Sequence, residues 1–226
     1  MNIIDKNLNQ QAGKPETERR AKKRVTGTGE LQSKLLRKPL IIGLGGTTRP
    51  DSSTEKALRY ALTCAASLGA DVELIGGADL MLPLYDPSNP VRDASAQRMI
   101  ELLRKADGLI LASPSYHGAV SGLMKNALDY VEDLAKAPRP YFHDIAVGSI
   151  ICANGAQALG ATLSNLRSIV HALRGWNTPF AATIQAGPNL FNELDEPTAT
   201  DVATSLRLVG VQVVQFAQMS MLAQQA

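Results

Sequence analysis

From residue 39 onward, short runs of apolar and β-branched side chains alternate with longer stretches in which apolar residues return every three or four positions. The short runs lie at 40–44, 71–75, 108–112, 145–151 and 180–184, and their length and content predict five strands. Between them, Leu58, Ala61, Leu62, Ala65 and Leu68 keep a helical period, as do Val120, Leu123, Met124, Ala127, Leu128, Val131 and Leu134 over four turns. Further helices are predicted around 94–106, 159–173 and 202–221. Strand and helix in strict alternation imply a parallel α/β domain, a doubly wound five-stranded sheet with helices on both faces, spanning 39–226.

Charge divides the chain differently. Residues 1–38 carry ten basic and four acidic side chains, whereas residues 39–226 carry 13 basic and 17 acidic ones, a net of −4. The excess that makes the whole chain +2 therefore belongs to a polar N-terminal tail, predicted to be disordered, and the folded part lacks the basic footprint that nucleic-acid binding requires. No apolar stretch suits a secretory signal, and Gln212, Gln215 and Gln218 interrupt the most apolar window, so neither export nor a membrane span is expected. Two cysteines, Cys64 and Cys152, form no ligand or disulfide pattern and read as small buried thiols of a cytoplasmic protein. His143 and His171 have no ligand partners at useful spacing, so no metal is expected. Trp176 is expected to pack at a helix-to-strand junction, and Met219 and Met221 in the core, with a subunit contact as the alternative.

In an open α/β sheet, ligands bind beyond the carboxyl ends of the strands. The loop after the first strand reads Gly45-Gly46-Thr47-Thr48-Arg49-Pro50-Asp51-Ser52-Ser53-Thr54 and runs straight into a helix. Glycines that turn amides inward, five hydroxyls, one guanidinium and the positive end of a helix suit a phosphate dianion. The same residues also admit a purely structural reading, since Ser52-Ser53-Thr54-Glu55 fits a capping box and Gly-Gly with Pro50 fits a turn. The third glycine of G-x-G-x-x-G is missing and no P-loop occurs, which disfavours a dinucleotide fold and a P-loop NTPase.

The loop after the third strand, Ser113-Pro114-Ser115-Tyr116-His117-Gly118-Ala119, leads into Ser121-Gly122-Leu123-Met124-Lys125-Asn126-Ala127-Leu128-Asp129. With the first loop, this segment resembles the NAD(P)H-dependent FMN reductases of flavodoxin-like fold, whose motifs run approximately G-S-x-R-x-x-S-x-[NST] and P-x-Y-[NH]-x-x-x-x-G-x-[LM]-K-N. The resemblance continues through Leu80-Met81-Leu82-Pro83-Leu84-Tyr85-Asp86-Pro87 and Gly155-Ala156-Gln157-Ala158-Leu159-Gly160, and covers most of residues 40–188.

The resemblance implies that Thr47, Arg49, Ser52 and Thr54 hold the FMN phosphate, with Ser53 contributing a hydroxyl or amide. It implies that Pro114, Ser115, Tyr116, His117 and Gly118 line the isoalloxazine ring, chiefly through backbone amides. Asn154 stands where the family usually has Ser or Gly; its side chain serves either as a donor toward the ring or as a turn initiator, while Gly155 and Gly160 are close-approach positions. The implied reaction is hydride transfer from NADH or NADPH to FMN with no catalytic side chain. Further implications are a homodimer or homotetramer and, for some relatives, a partner monooxygenase that receives reduced flavin. Two alternatives share these residues: a reductase that retains FMN and passes electrons to quinones, azo compounds or metal oxyanions, and a flavodoxin-type electron carrier.

Overall fold

A computed structural model describes residues 35–225. The disorder expected of the N-terminal tail, 1–38, lies for residues 1–34 outside the described residues. At the chain's entry Arg37 reaches Asp107 at 2.6 Å and Lys38 reaches Asp71 at 3.6 Å.

The strands and helices follow in the order β1 (Leu40–Gly45), α1 (Ser53–Ser67), β2 (Asp71–Gly76), α2 (Ala94–Lys105), β3 (Gly108–Tyr116), β4 (Ala119–Val120), α3 (Gly122–Asp129), β5 (Ala146–Ala153), α4 (Ala156–Ala172), β6 (Trp176–Asn177), β7 (Ala182–Gln185) and α5 (Thr200–Gln225). Short 3₁₀ turns at Gly77–Leu80 and Tyr130–Leu134 follow β2 and α3. The sheet runs β2-β1-β3-β5-β6, and β7 also pairs with β5. This is the doubly wound flavodoxin-like order, with the crossover between β1 and β3 at its centre.

The strand count corrects the sequence reading, since seven strands stand among the described residues where five were expected. The fifth position of the sheet is divided: β6 pairs with Ala146 and Val147, and β7 pairs with residues 150–153 of β5. Thr178 and Pro179 interrupt it, because Pro179 has no N–H to give the ladder and the Thr178 hydroxyl bonds the Phe180 carbonyl at 2.9 Å. The other addition is β4, which folds back antiparallel on the end of β3. The helix expected over 120–134 tightens from α-helix into a 3₁₀ turn at Tyr130.

Sequence period accounts for the layers. Ile42, Leu44, Leu109, Leu111, Val147 and Ile151 face one way, against α2, α3 and α4; Ile41, Ile110, Ala112, Ile150 and Cys152 face the other, against α1 and α5. With both faces covered, β3 and β5 are apolar almost throughout, whereas the edge strand β2 alternates exposed and half-buried residues over Asp71–Leu74 before the buried Ile75. Three helices begin with side-chain caps, Ser52, Asp93 and Ser121 accepting from the amides of Glu55, Ala96 and Met124, each worth about 1 kcal/mol.

Helix α5 is long and apolar enough by composition to cross a membrane, but half of that window is buried in the protein. A Cβ at Gly210 would lie 2.8 Å from the Ala61 carbonyl, so α1 and α5 touch backbone to backbone. Met221 is buried and Met219 is not: its 52 % exposure corrects its assignment to the core. Trp176 lies on β6, 6.1 Å from the Phe216 ring, at the junction following α4.

Candidate functional site

Parallel pairing aligns the carboxyl ends of the three central strands. Gly45 of β1 is level with Ala112 of β3, and Pro114 of β3 with Cys152 of β5. At about 4.8 Å between neighbouring strands, the loops leaving β1, β3 and β5 emerge side by side at the carboxyl edge of the sheet. Twelve of the thirteen residues singled out above therefore lie on one edge.

The first loop turns because β1 ends in two glycines with φ of 151° and 110°. A Cβ at Gly45 would sit 2.0 Å from the Ala112 carbonyl oxygen, so only glycine lets β1 run this close to β3 before the chain leaves the sheet. The Gly46 amide donates to that same carbonyl at 3.2 Å. Beyond it, the hydroxyls expected to face a phosphate divide by role. Thr47 bonds within the loop, accepting from the Arg49 amide at 3.1 Å. Ser52 is buried and caps α1, accepting from the Glu55 amide at 3.3 Å, which is half of the capping box; the Glu55 carboxylate pairs instead with Arg59 at 2.8 Å. Thr54 is buried and hydrogen-bonded to the Cys152 thiol.

Facing outward are the Arg49 guanidinium, which has no ion pair among the described residues, the half-buried Ser53, and the first amides of α1. By helix geometry the Ser53 and Thr54 N–H groups have no intrahelical acceptor. A cation and orphan donors at a helix start fit a phosphate dianion, with the exposed Asp51 of the same loop as an opposing charge that Lys56 offsets in part.

The second loop is a hairpin rather than an open turn. Strand β3 continues past Ala112 to Tyr116, which pairs with Ala119 of β4. Between them His117 and Gly118 both have positive φ, 54° and 82°, the two-residue type I′ geometry that matches strand twist. Pro114 fits inside β3 because β1 ends at Gly45, level with Ala112, leaving one side of β3 without a neighbour there. Ser113 closes the base, its hydroxyl accepting from the Ser121 amide at 3.0 Å. Tyr116 and His117 are exposed at the tip.

On the third loop, Asn154 is exposed and its carbonyl accepts from Gln185 Nε2 at 3.1 Å; Gly155 opens α4 without a side-chain cap. Nothing lies within 4 Å of a Cβ built on Gly155, which leaves open space before the helix start. Gly160 is the residue left out of the cluster. It lies in the second turn of α4, exposed, on the side opposite the residues that touch the hairpin.

The sequence reading passed over Glu55 and Thr162. Glu55 Oε2 lies 3.2 Å from where a Cβ would stand on either Gly46 or Gly77, tucked between the ends of β1 and β2. Its one sequence signal was the capping-box spacing. Thr162 is fully buried on α4 with its hydroxyl 2.6 Å from that of Ser115. A hydroxyl within the apolar stripe Leu159, Leu163, Leu166 and Val170 was the available sign.

Beneath the first loop, burial pushes the Cys152 thiol from its ordinary 9.0 up to about 12, against the opposing pull of the Thr54 hydrogen bond. Burial also raises Tyr60, Tyr85, Tyr130 and Tyr141. In each case the folded protein keeps a proton that the unfolded chain releases. Stability is thus intact below about pH 9 and falls as pH rises toward 12. Urea midpoints taken at pH 7.5, 9, 10 and 11 are expected to decline steeply above 9. Iodoacetamide at pH 8 should leave Cys152 unlabelled until the protein unfolds; an unchanged midpoint or rapid labelling would contradict this environment.

Comparisons with known proteins identify the family and the fold. The family model described as NADPH-dependent FMN reductase matches residues 39–187. An FMN-dependent NADPH-azoreductase from Staphylococcus aureus is 34% identical over 139 residues, 59% of this chain and 70% of that protein. Among solved structures, the flavoenzyme NAD(P)H:(acceptor) oxidoreductase FerB from Paracoccus denitrificans aligns with a TM-score of 0.64 at 18% identity, covering 80% of this chain and 98% of that one. The apo form of an NADH:FMN oxidoreductase aligns with a TM-score of 0.59 at 22% identity, covering 80% and 89%. At these identities the structures establish the shared fold; the matched family model, together with the azoreductase relative, shows that the chain is an oxidoreductase belonging to the NADPH-dependent FMN reductase family.

Proposed function

We propose that this protein binds FMN across the carboxyl edge of β1, β3 and β5 and transfers to it a hydride from NADPH or NADH. The observation that carries the reading is the first loop: two glycines in positive φ deliver Arg49, Ser53 and the unpaired amides of α1 to one place, a donor set that suits the FMN phosphate. The hydroxyls of Thr47, Ser52 and Thr54 support that loop from within, and Pro114, Ser115, Tyr116, His117 and Gly118 present the hairpin to the ring, with Asn154 and Gly155 at its far side. FMN, when bound, supplies the two-electron acceptor. The chain's own part is to bind, orient and exclude water, so no side chain is needed as acid or base.

The azoreductase relative favours one version of this reading, in which FMN stays bound and passes electrons to an azo compound, quinone or metal oxyanion. The other version releases reduced FMN to a flavin-dependent monooxygenase. Exposed Met81, Leu84 and Tyr116 after β2 and on the hairpin support a second copy of the chain closing the pocket. Sedimentation as a monomer at working concentration would count against that dimer. Two unpaired cysteines suit a reducing compartment such as the cytoplasm.

The deciding experiment records the visible spectrum of purified protein and measures NADH and NADPH oxidation with and without added FMN, free-flavin background subtracted. A yellow protein active with quinone or azo dye supports the retaining reductase; a colourless one that needs added FMN supports the flavin-releasing enzyme. Bound FMN that neither nucleotide reduces would replace both with an electron carrier, and no flavin uptake at all would sink the reading.

A further inference from the structure

We propose that Thr162 of α4 is a positioning residue, which holds the β3–β4 hairpin at the height where its backbone meets the flavin ring. The proposal rests on the FMN reading above. Its own ground is a row of contacts along one face of α4. Ser115 Oγ lies 2.6 Å from Thr162 Oγ1 and donates toward the Ala158 carbonyl at 3.4 Å. The Val120 amide donates to Asn165 Oδ1 at 3.3 Å. A Cβ on Gly118 would meet the Ala161 methyl at 3.8 Å. Residues 158, 161, 162 and 165 are spaced by three, one and three, so they form a single stripe of the helix. Both strands and the tip of the hairpin rest on that stripe, and Ser113 ties its base.

Thr162 is the central member of the stripe. It is fully buried, and the partner its hydroxyl finds across the interface is Ser115, 47 positions away. With the Ser115 proton directed to the Ala158 carbonyl, the Thr162 hydroxyl donates to Ser115 Oγ, and both hydroxyls are satisfied on one helical turn. Leaving one of them buried without a partner is unfavourable, so the pair admits one height of the hairpin relative to α4. The ring-facing groups of residues 114–118 are mostly backbone atoms, which cannot adjust by side-chain rotation. Their position is set by what grips the hairpin from behind.

Thr162→Val keeps the branched shape and removes the hydroxyl; Thr162→Ser keeps the hydroxyl. FMN and riboflavin are titrated by fluorescence quenching into wild type and both variants, and amide exchange of residues 115–120 is followed in the ligand-free proteins. Thr162→Val is expected to weaken FMN and riboflavin by the same factor, about three- to tenfold, the size of one hydrogen bond. Hairpin exchange should accelerate, and the absorption band of the bound flavin should shift. Thr162→Ser should return affinity to within about twofold of wild type, since the bond is restored. Ser115→Ala combined with Thr162→Val should cost no more than Ser115→Ala alone, because that change already removes the shared bond along with the one to the Ala158 carbonyl.

Unaltered flavin affinity in Thr162→Val beside a wild type that binds overturns the proposal alone. So does a loss confined to FMN, which would place the effect at the phosphate end, or a Thr162→Ser protein as impaired as Thr162→Val. If Thr162→Val does not fold, Thr162→Ser and Ser115→Ala carry the same comparison. Wild-type protein that takes up neither flavin overturns the FMN reading and this proposal with it.

Discussion

Arg49→Ala is expected to weaken FMN binding by about ten- to a hundredfold while leaving riboflavin binding unchanged. A charged hydrogen bond to phosphate contributes about 1.5 to 3 kcal/mol, and each 1.4 kcal/mol is a factor of ten. Arg49 is exposed at the turn that follows Gly45 and Gly46, and among the described residues no carboxylate pairs with it, so its charge is free to meet a ligand. Of the acidic groups nearby, Glu55 is paired with Arg59 at 2.8 Å, and the exposed Asp51 of the same loop makes no ion pair with Arg49 among the described residues. Because the Arg49 bonds within the loop are backbone ones and its side chain makes no hydrogen bond or ion pair among the described residues, the variant should melt with wild type, which separates a binding defect from an unfolding one. Riboflavin lacks the phosphate and serves as the internal control. Equal affinity of wild type and variant for FMN would remove Arg49 from the site, and a matching loss for riboflavin would place the residue at the ring. Salt is a further check: the FMN affinity of wild type should fall with ionic strength more steeply than that of the variant.

The central strands could be read from the chain because they are buried on both faces, so that stretches such as Leu40-Ile41-Ile42 and Ile150-Ile151-Cys152 are apolar without interruption. Strand β4 could not, since two residues have no period, and neither could the extension of β3 through Ser113-Pro114-Ser115, whose composition is that of a loop. The division of the fifth position into β6 and β7 depends on where Thr178 and Pro179 fall against β5, and pairing register is not a local property. At the candidate site, residue types were legible and their division of labour was not. Ser52 and Thr54 looked like ligand donors, yet burial turns one into a helix cap and the other toward a thiol. Gly160 shows the opposite failure: motif resemblance placed it by the ring, and helical period carries it round to solvent. Thr162 was hidden for a third reason, since a buried hydroxyl has meaning only once its partner, 47 residues distant, is known.

Gly45→Ala is expected to lower stability by about 2 to 6 kcal/mol and to abolish measurable FMN binding. Two effects add. The residue has φ of 151°, a conformation that a side chain tolerates poorly, at about 1 to 3 kcal/mol. Its Cβ would also stand 2.0 Å from the Ala112 carbonyl oxygen and 2.8 Å from the carbonyl carbon, an overlap with backbone that no rotamer relieves. Forcing atoms into a packed interior costs about 1 to 3 kcal/mol. Relief comes only by drawing the end of β1 away from β3, which breaks the hydrogen bond from the Gly46 amide to the Ala112 carbonyl. Residues 46–54 move with that strand end, so the first loop shifts relative to the hairpin leaving β3 and the two halves of the proposed site lose their register. Urea denaturation gives the stability difference and flavin titration the binding. Gly160→Ala is the matched control: its Cβ meets nothing within 4 Å in the interior of α4, so there the same substitution should raise stability by about 1 kcal/mol. A Gly45→Ala protein as stable as wild type would mean that β1 and β3 do not approach as closely as the structure places them. One that is destabilised yet binds FMN normally would uncouple the strand ends from the ligand and separate the fold's requirement for this glycine from the site's.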